Sequence, residues 1–297
     1  MKFGFIIPHN FGLDSPKDVV DVAVSAEQSG FDSVWVNHHV LHAGYVLDRL
    51  DDKPYYDALT VLTYVAAKTN LVKLGTTVLV LPYLNPLVLA KTIATLDVMS
   101  GGRMIVGVGV GSLPEESAAL GSDYAARGKF ANESIEIMKE LWTNPLPSYR
   151  GSYYEFSGVK FSPKPLQTPH PPILVGGQSL PAMRRAVVHG NGWHPIGLSP
   201  DALKTRLEVV NQLLDHHGKN SKDFRISLRS ELKVTDTDAN SNLATVAPPD
   251  KLINTIFEYE RIGVSEMVFS VSTDDVPYIH SMIDKFSKEI LPAFKKW

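Results

Sequence analysis

The stretch that decides the fold is PLVLAKTIATLDVMSGGRMIVGVGVG, residues 86–111. Pro86 suits the first turn of a helix, and the paired glycines Gly101 and Gly102 suit its end. RMIVGVGVG then forms a short apolar run without helical spacing, which is typical of a buried strand. The stretch therefore predicts one helix followed by one strand of a parallel sheet.

The same alternation of strand and helix continues along the chain in both directions from this stretch. Before it, the strands are KFGFIIP, SVWVNHH and VKLGTTVLVLP, and helices follow the first two at SPKDVVDVAVSAEQSG and at about Asp57 to Lys68. After it comes a helix within residues 124–142. Four more pairs, each a strand followed by a helix, complete the chain: PPILVGG with LPAMRRAVVHG, GWHPIG with SPDALKTRLEVVNQLLDHHG, RISLRSELKV with PPDKLINTIFEYERIG, and SEMVFSVS with VPYIHSMIDKFSKEIL. Together they predict eight strand-then-helix units.

Eight such units in a chain of 297 residues predict an α/β fold, a (β/α)₈ TIM barrel that forms a single domain over residues 1–297. A doubly wound open sheet is the alternative, but it would place a glycine-rich turn after the first strand. Here the glycines follow the fourth and fifth strands. Residues 144–172 break the alternation and predict an insertion between helix four and strand five, partly a hairpin over SYYEFSGVKF, that lies over or beside the barrel.

Composition excludes several classes of protein. Hydrophobic residues make up 44% of the chain and charged residues 21%, and the formal net charge is -3. No basic cluster suggests a nucleic-acid or membrane partner. The absence of cysteine excludes thiolate metal sites and cysteine nucleophiles. Without a signal-peptide pattern or an apolar run of membrane-spanning length, we expect a cytoplasmic protein.

The strand ends form an inventory of candidate functional residues, because TIM-barrel chemistry sits at the carboxyl ends of the strands. No lysine stands clearly among them, which argues against a Schiff-base aldolase. Carboxylates are too few for a glycosidase or a typical metal hydrolase. The residues present are mostly histidines, glycines and hydroxyls: His9, Asn10, Asn37, His38, His39, Thr76, Thr77, Gly107, Gly109, Gly111, Ser112, Gly176, Gly177, Gln178, Ser179, His194, Arg229, Glu231, Ser270 and Ser272.

Two glycine-rich strand ends, GVGVGS and VGGQS, allow two interpretations. Glycine lets a flat ligand approach the backbone, and free N–H groups near a helix start favour a phosphate. The simpler interpretation is that these glycines serve only packing and turns. Their occurrence on neighbouring strands favours a phosphorylated aromatic ligand.

The chain resembles the bacterial luciferase-like monooxygenase superfamily, whose members bind FMN or the deazaflavin coenzyme F420 in a (β/α)₈ barrel. The resemblance extends from KFGFIIP to about Ser272 and is closest to the single-domain, deazaflavin-dependent branch. Its segments are SVWVNHH, LGTTVLVLPYLNP, DVMSGGRMIVGVGVG, the helix with IMKELWT, PKPLQTPHPPILVGG and RRAVVHGNGWHP.

The resemblance implies two catalytic residues. His39 would lie beside the reactive ring and handle protons. The preceding residue is usually Asp in the deazaflavin branch but is His38 here, closer to the flavin luciferases, in which the first of two histidines is catalytic.

The resemblance also implies the cofactor-binding residues. Thr77 and Val78 would form a bulge, often with a non-prolyl cis peptide, that supports the ring, and Gly176 to Ser179 would hold the phosphate. Ser112 is a departure, since relatives often have Trp or an acid there, so an expected substrate-side or proton-relay group is absent at that position. The full predicted cofactor-binding set is Asn37, Thr77, Val78, Gly109, Gly111, Ser112, Gly176, Gly177, Gln178, Ser179 and His194, with no metal ligand.

The expected function is an oxidoreductase that uses coenzyme F420 for hydride transfer to or from a small, hydrophobic organic substrate. An FMN-dependent monooxygenase that uses reduced flavin and O₂ is one alternative, and a non-catalytic flavin-binding protein is another. A metal-dependent hydrolase with His9, His38 and His39 is the remaining one. Substrate selection is expected from the loops at residues 41–54, 144–172 and after strand seven. The resemblance also implies a homodimer.

Overall fold

Eight short apolar strands lie parallel to one another in the computed structural model, which describes residues 1–237 and 243–295. The first strand pairs with both the second and the eighth, and the third pairs with the fourth, so the sheet closes on itself. The predicted (β/α)₈ barrel is confirmed. Its strands are β1 (Lys2–Ile6), β2 (Ser33–Val36), β3 (Lys73–Thr76), β4 (Met104–Gly109), β5 (Ile173–Gly176), β6 (Gly192–His194), β7 (Arg225–Glu231) and β8 (Glu266–Ser270).

Helices follow the strands, and the first two begin at side-chain caps. The Ser15 hydroxyl accepts the Asp18 N–H, and Asp57 caps the next helix through the Thr60 N–H. The helices are α1 (Pro16–Gln28), α2 (Ala58–Lys68), α3 (Pro86–Met99), α4 (Arg127–Thr143), α5 (Leu180–His189), α6 (Pro200–His216), α7 (Pro249–Arg261) and α8 (Val276–Lys285). The last predicted helix ends sooner than expected, since a π-helical turn, Phe286–Ile290, follows α8.

Two apolar layers hold the barrel together. Outward-facing residues of the strands pack against the helices in one large cluster. Inward-facing residues form a second, small cluster of Ile6, Trp35, Ile105, Leu174 and Val268, because side chains alternate along a strand. This inner cluster fills the barrel interior below the carboxyl ends of the strands.

The predicted third strand is interrupted. Lys73–Thr76 pairs in the barrel, the Thr77–Val78 peptide bond is cis, and the chain continues as the two-residue strand Leu79–Val80. Two short helices, Tyr45–Leu50 and Pro114–Ala119, are additional to the prediction. Both lie in loops at the carboxyl ends of strands, where functional residues are expected.

The insertion is placed differently from the prediction. Its hairpin pairs Tyr149–Arg150 with Glu155–Phe156, earlier than predicted, because the Glu133 carboxylate accepts three N–H groups of the intervening turn. A segment that joins a helix to the next strand returns to the amino ends of the strands. The hairpin then extends back along α4, where Tyr153 and Tyr154 contact Phe130 near the start of that helix.

Candidate active site

A cavity of about 700 Å³ opens at the carboxyl ends of the strands. Loops after six of the eight strands contribute to its wall, and the small cluster inside the barrel lies beneath it. None of residues 144–172 lines it, so the expected part of the insertion in substrate selection stays a prediction. The loop after β7 includes residues 238–242, which lie outside the described part of the chain.

Most of the predicted site residues meet in this cavity. The two that do not line it are Gln178, whose side-chain amide donates to the Ile196 carbonyl, and His194, which is buried beneath it. Those that line it are Asn37, His38, His39, Thr77, Val78, Gly109, Gly111, Ser112, Gly176, Gly177 and Ser179.

Glycines beside the Thr77–Val78 bulge serve the bulge itself. A Cβ on Gly107 would lie 1.7 Å from the Thr76 carbonyl oxygen, and one on Gly109 would lie 2.5 Å from a Val78 methyl carbon. The simpler interpretation of these strand glycines, close packing, is therefore correct for both. They let the wall of the cavity bend inward at Val78.

His194 supports the bulge from below. Its ring stacks on Trp35 at 5.1 Å, and its two nitrogens face the hydroxyl oxygens of Ser227 and Thr77 at 3.0 and 2.9 Å. Burial, together with the charge of Arg229, lowers the pKa of His194 to about 3. A neutral ring with two hydroxyl partners is a positioning group for Thr77.

His38 presents one fixed N–H group to the cavity. Its Nδ1 accepts the Val80 N–H at 3.2 Å, so the ring proton is on Nε2. Burial lowers the pKa of His38 to about 4, which keeps the ring neutral near pH 7. His38 is therefore a hydrogen-bond donor toward a ligand rather than a cation.

His39 lies between an acid and a phenol. Its Nδ1 is 2.7 Å from Glu116 Oε2, and its Nε2 is 2.7 Å from the Tyr45 hydroxyl. Glu116 is buried and also accepts the N–H groups of Val40 and Leu41. In this arrangement the Glu116 carboxylate orients His39, as a carboxylate orients the base in acid–base catalysis.

The charge of Glu116 is maintained by its hydrogen bonds. Burial by itself raises the pKa of this carboxyl, but the bonds from His39, Leu41 and Val40 outweigh burial and hold the pKa below its usual range. Sequence reasoning missed both partners of His39, because Glu116 and Tyr45 lie in the two short helices that it did not predict. An acid five residues after Gly111 is the only signal that could have indicated Glu116.

One end of the cavity, formed by Arg127, Arg185 and the start of α5, is suited to a phosphate. Arg185 is buried and bonded to Asn132 Oδ1 and the Gly128 carbonyl, and Arg127 is close enough to lower the Arg185 pKa, although burial lowers it more. Nε of Arg127 is buried without a hydrogen-bond partner. Ser179 caps α5, whose N–H groups point to the same end of the cavity.

The other end is formed by Asn10, Arg49, Tyr55 and Arg229, from the loops after β1 and β2 and from β7. Arg229 donates to Asn37 Oδ1 at 2.9 Å. Buried polar side-chain atoms without a partner occur on only four residues of the described chain, and all four line this cavity: Asn10, Tyr55, Arg127 and Arg229. Such atoms are rare and costly in folded proteins, which points to a ligand that satisfies them.

The structure does not assemble the histidines for a metal. His9 is fully buried, and its two nitrogens face the carbonyl oxygens of Ile7 and Asn37 at 3.1 and 3.0 Å. Within residues 1–237 and 243–295, no three His, Asp or Glu side chains form a group that could hold a metal ion. This geometry therefore gives no support to the hydrolase alternative with His9, His38 and His39.

Comparisons with known proteins agree with this geometry. The F420-dependent glucose-6-phosphate dehydrogenase of Amycolatopsis mediterranei (strain U-32) is 38% identical, over 94% of this chain and 95% of the relative. The FMNH(2)-dependent dimethylsulfone monooxygenase of Pseudomonas putida is 30% identical, over 64% of this chain and 51% of its own. Enzymes of both predicted cofactor types, F420 and FMN, are thus among the relatives.

A solved structure and a family model complete the comparison. An F420-dependent secondary alcohol dehydrogenase in complex with an F420-acetone adduct has the same fold, with a TM-score of 0.83 at 20% identity over 99% of both chains. The model of the luciferase-like monooxygenase family matches residues 1–247. The chain belongs to the luciferase-like monooxygenase family.

Proposed function

We propose that the chain is an oxidoreductase that binds coenzyme F420 and transfers hydride to or from a small organic substrate. The observation that carries the proposal is the cavity at the strand ends, which gathers all the unpartnered buried polar side-chain atoms of the described chain. The relative that is 38% identical over nearly the whole chain favours F420 over FMN.

The residues suit the two parts of such a cofactor. Arg127, Arg185 and the start of α5 would hold the phosphate, since no carboxylate competes with it among the residues that line the cavity. The Thr77–Val78 bulge would support one face of the ring, and Nε2 of His38 would donate to it. When bound, the ring supplies the redox chemistry.

The residues of the chain would supply the proton chemistry. Glu116 would accept a hydrogen bond from Nδ1 of His39, and Nε2 would exchange a proton with Tyr45, which also lines the cavity. Burial raises the pKa of Tyr45, so its hydroxyl stays protonated at neutral pH. We assign His39 as the proton acceptor and donor, and Glu116 as the residue that orients it.

Two alternatives keep some support. The second histidine, His38, and the relative from Pseudomonas putida favour an FMN-dependent monooxygenase. A non-catalytic flavin-binding protein is the alternative from a different class, but the Glu116–His39–Tyr45 arrangement favours an enzyme, because simple binding does not need it.

The test is a fluorescence titration of the purified protein with F420 and, separately, with FMN, repeated for Arg127→Gln. We expect tight binding of F420 and about tenfold or more weaker binding for the variant, as for loss of a charge-assisted hydrogen bond. The matched control is Arg150→Gln, an exposed arginine of the insertion. Tight binding of FMN alone would favour the monooxygenase, and binding of neither cofactor would refute the proposal.

The predicted homodimer is supported by an apolar surface on α2 and α3. Exposed apolar side chains on these helices and the loop after α2 are Leu71, which is 80% exposed, and Met99, which is 70% exposed, together with Tyr64, Val88 and Val98. Exposed apolar side chains on neighbouring helices suit a subunit interface. The cytoplasmic location stays a prediction; no helix in the described part of the chain is long and apolar enough to cross a membrane.

A further inference from the structure

The cavity has more positive charge than one phosphate requires. Four arginines line it, namely Arg49, Arg127, Arg185 and Arg229, and no Asp or Glu does. None of the four takes part in an ion pair among the described residues. If a cofactor phosphate pairs with Arg127 and Arg185, then Arg49 and Arg229 still lack an anionic partner.

Arg229 is a part-buried cation that only neutral groups contact. Its Nη1 donates to Asn37 Oδ1 and lies 3.5 Å from the Thr77 carbonyl oxygen, while its Nε has no partner. Burial lowers its pKa, but a guanidinium stays charged at neutral pH. The Glu231 carboxylate, which raises that pKa from a distance, is occupied by hydrogen bonds from Ser270 and Ser272.

Arg49 is held in place at the cavity wall without a counter-charge. Its Nη2 donates to the Asn10 carbonyl at 3.0 Å, and its guanidinium lies 4.7 Å from the centroid of the Phe11 ring. A side chain fixed in this way loses little freedom when it binds an anion.

The Tyr55 hydroxyl is the third donor at this end. It is buried and has no hydrogen-bond partner, and both Arg49 and Arg229 influence its pKa, which burial raises. The hydroxyl therefore stays protonated and can donate. Two guanidinium groups and one phenol, all short of acceptors, are the groups that bind a carboxylate, phosphate or sulfonate.

We propose that Arg49, Tyr55 and Arg229 bind the anionic group of the substrate, and that the substrate is a small organic anion. This inference rests on the proposed function and names the class of its substrate. The side of the barrel formed by β1, β2 and β7 lies opposite the side that carries Arg127 and Arg185. The substrate anion and the cofactor phosphate therefore occupy opposite ends of one cavity. Ile196, which also lines the cavity, exposes an apolar side chain suited to the rest of the substrate.

The experiment is a calorimetric titration of the cofactor-loaded protein with hexanoate, hexyl phosphate and uncharged hexanamide. We expect at least one anion to bind about tenfold or more tightly than the amide, because the amide lacks the charge. Arg49→Gln and Tyr55→Phe should each weaken anion binding by about tenfold while the cofactor Kd stays the same. Both variants should fold, since Arg49 is exposed and the Tyr55 hydroxyl has no partner to lose.

The control is Lys53→Gln, which removes an exposed cation from the same loop that is already paired with Asp274. Equal binding of hexanoate, hexyl phosphate and hexanamide would overturn the proposal, as would unchanged anion binding in Arg49→Gln and Tyr55→Phe. If these variants lose affinity for the cofactor and not for the anion, this end of the cavity binds the cofactor ring. That result would also overturn the proposal. If neither cofactor binds, the proposed function fails, but the same titrations on the cofactor-free protein still decide whether this end binds an anion.

Discussion

At the scale of single residues, the chemistry of the site depends on which ring nitrogen of His39 donates a hydrogen bond and which one accepts. A neutral imidazole has one donor and one acceptor. Since the Glu116 carboxylate takes the donor, the acceptor faces Tyr45. Glu116 therefore fixes the tautomer of His39 in addition to holding the ring in position.

Replacement of Glu116 by Gln should impair turnover without impairing cofactor binding. The Gln amide cannot accept the His39 hydrogen bond as a carboxylate does, so His39 loses its fixed tautomer. We therefore expect kcat to fall by about 10²-fold or more, as for a disturbed acid–base group. The cofactor Kd should stay within about threefold, because Glu116 does not line the cavity. Kinetics and fluorescence titration on the same preparation would test both expectations.

Glu115→Gln is the matched control, an exposed neighbour in the same short helix that does not line the cavity. Glu116→Asp should recover part of the lost rate if the negative charge is what matters. An equal loss of cofactor affinity and kcat in Glu116→Gln would instead indicate a purely structural role.

At the scale of elements, the bulge after β3 and the glycines of β4 form one unit. Gly109→Ala would place a Cβ 2.5 Å from a Val78 methyl carbon, so the bulge must shift. We expect overpacking to lower the free energy of unfolding by about 1–3 kcal/mol and cofactor binding to weaken. Chemical denaturation and fluorescence titration of the variant would measure both effects.

A second substitution tests the cause of that loss. Val78→Ala removes the methyl group that the new Cβ would meet, so the double variant should regain part of the stability lost in Gly109→Ala. If the two losses simply add, contact between residues 78 and 109 is not the reason for the glycine.

The sequence predicted the regular elements well and the irregular ones poorly. Local chemistry marks the start of α1 and α6, where Ser-Pro pairs stand at the cap, and the apolar runs mark the eight strands. Nothing local marks the helices Tyr45–Leu50 and Pro114–Ala119, which depend on the packing of Val46 and Leu50 against Leu113. The unpredicted partners of His39 lie in these two helices, so the site was only partly predictable.

The arginines of the site were also difficult to predict, for a different reason. Arg127 and Arg185 lie on helices, and their distance from each other depends on how α4 and α5 pack. A strand-end inventory includes Arg229 but cannot show that its charge is unpaired. Residue identity was visible in the sequence, and the missing counter-charges were not.

At the scale of the whole molecule, buried neutral histidines should make the fold sensitive to acid. Burial lowers the pKa values of His9 and His38 to about 4 and that of His194 to about 3, below the ordinary value of 6.5. The unfolded chain takes up these protons below pH 6.5 and the folded chain does not. Stability is therefore full above that pH and falls as the pH drops toward about 4.

The expected slope is about 4 kcal/mol per pH unit, from roughly 1.4 kcal/mol for each of three groups. Glu266 opposes this slope, because burial raises its pKa. Urea denaturation at pH 7.5, 6.5 and 5.5 would measure the slope, and His38→Asn should reduce it by about a third. A stability that is flat between pH 6.5 and 5.5 would contradict the neutral state of the buried rings.

The quaternary structure offers a prediction at the same scale. If the apolar surface on α2 and α3 joins two copies, Val88→Lys combined with Met99→Lys should yield a monomer, because two buried charges would face the partner. Sedimentation analysis of the variant and of Val159→Lys, an exposed control on the insertion, would decide. A monomeric parent protein would refute the predicted homodimer.

The position of the insertion has a practical consequence for experiments on this protein. The chain contains no cysteine, and Lys160 is exposed on the insertion, none of whose residues lines the cavity. Lys160→Cys would therefore introduce a unique thiol for a dye or a surface linker. A molecule attached there leaves the mouth of the barrel open, so single molecules could be observed while ligands enter and leave.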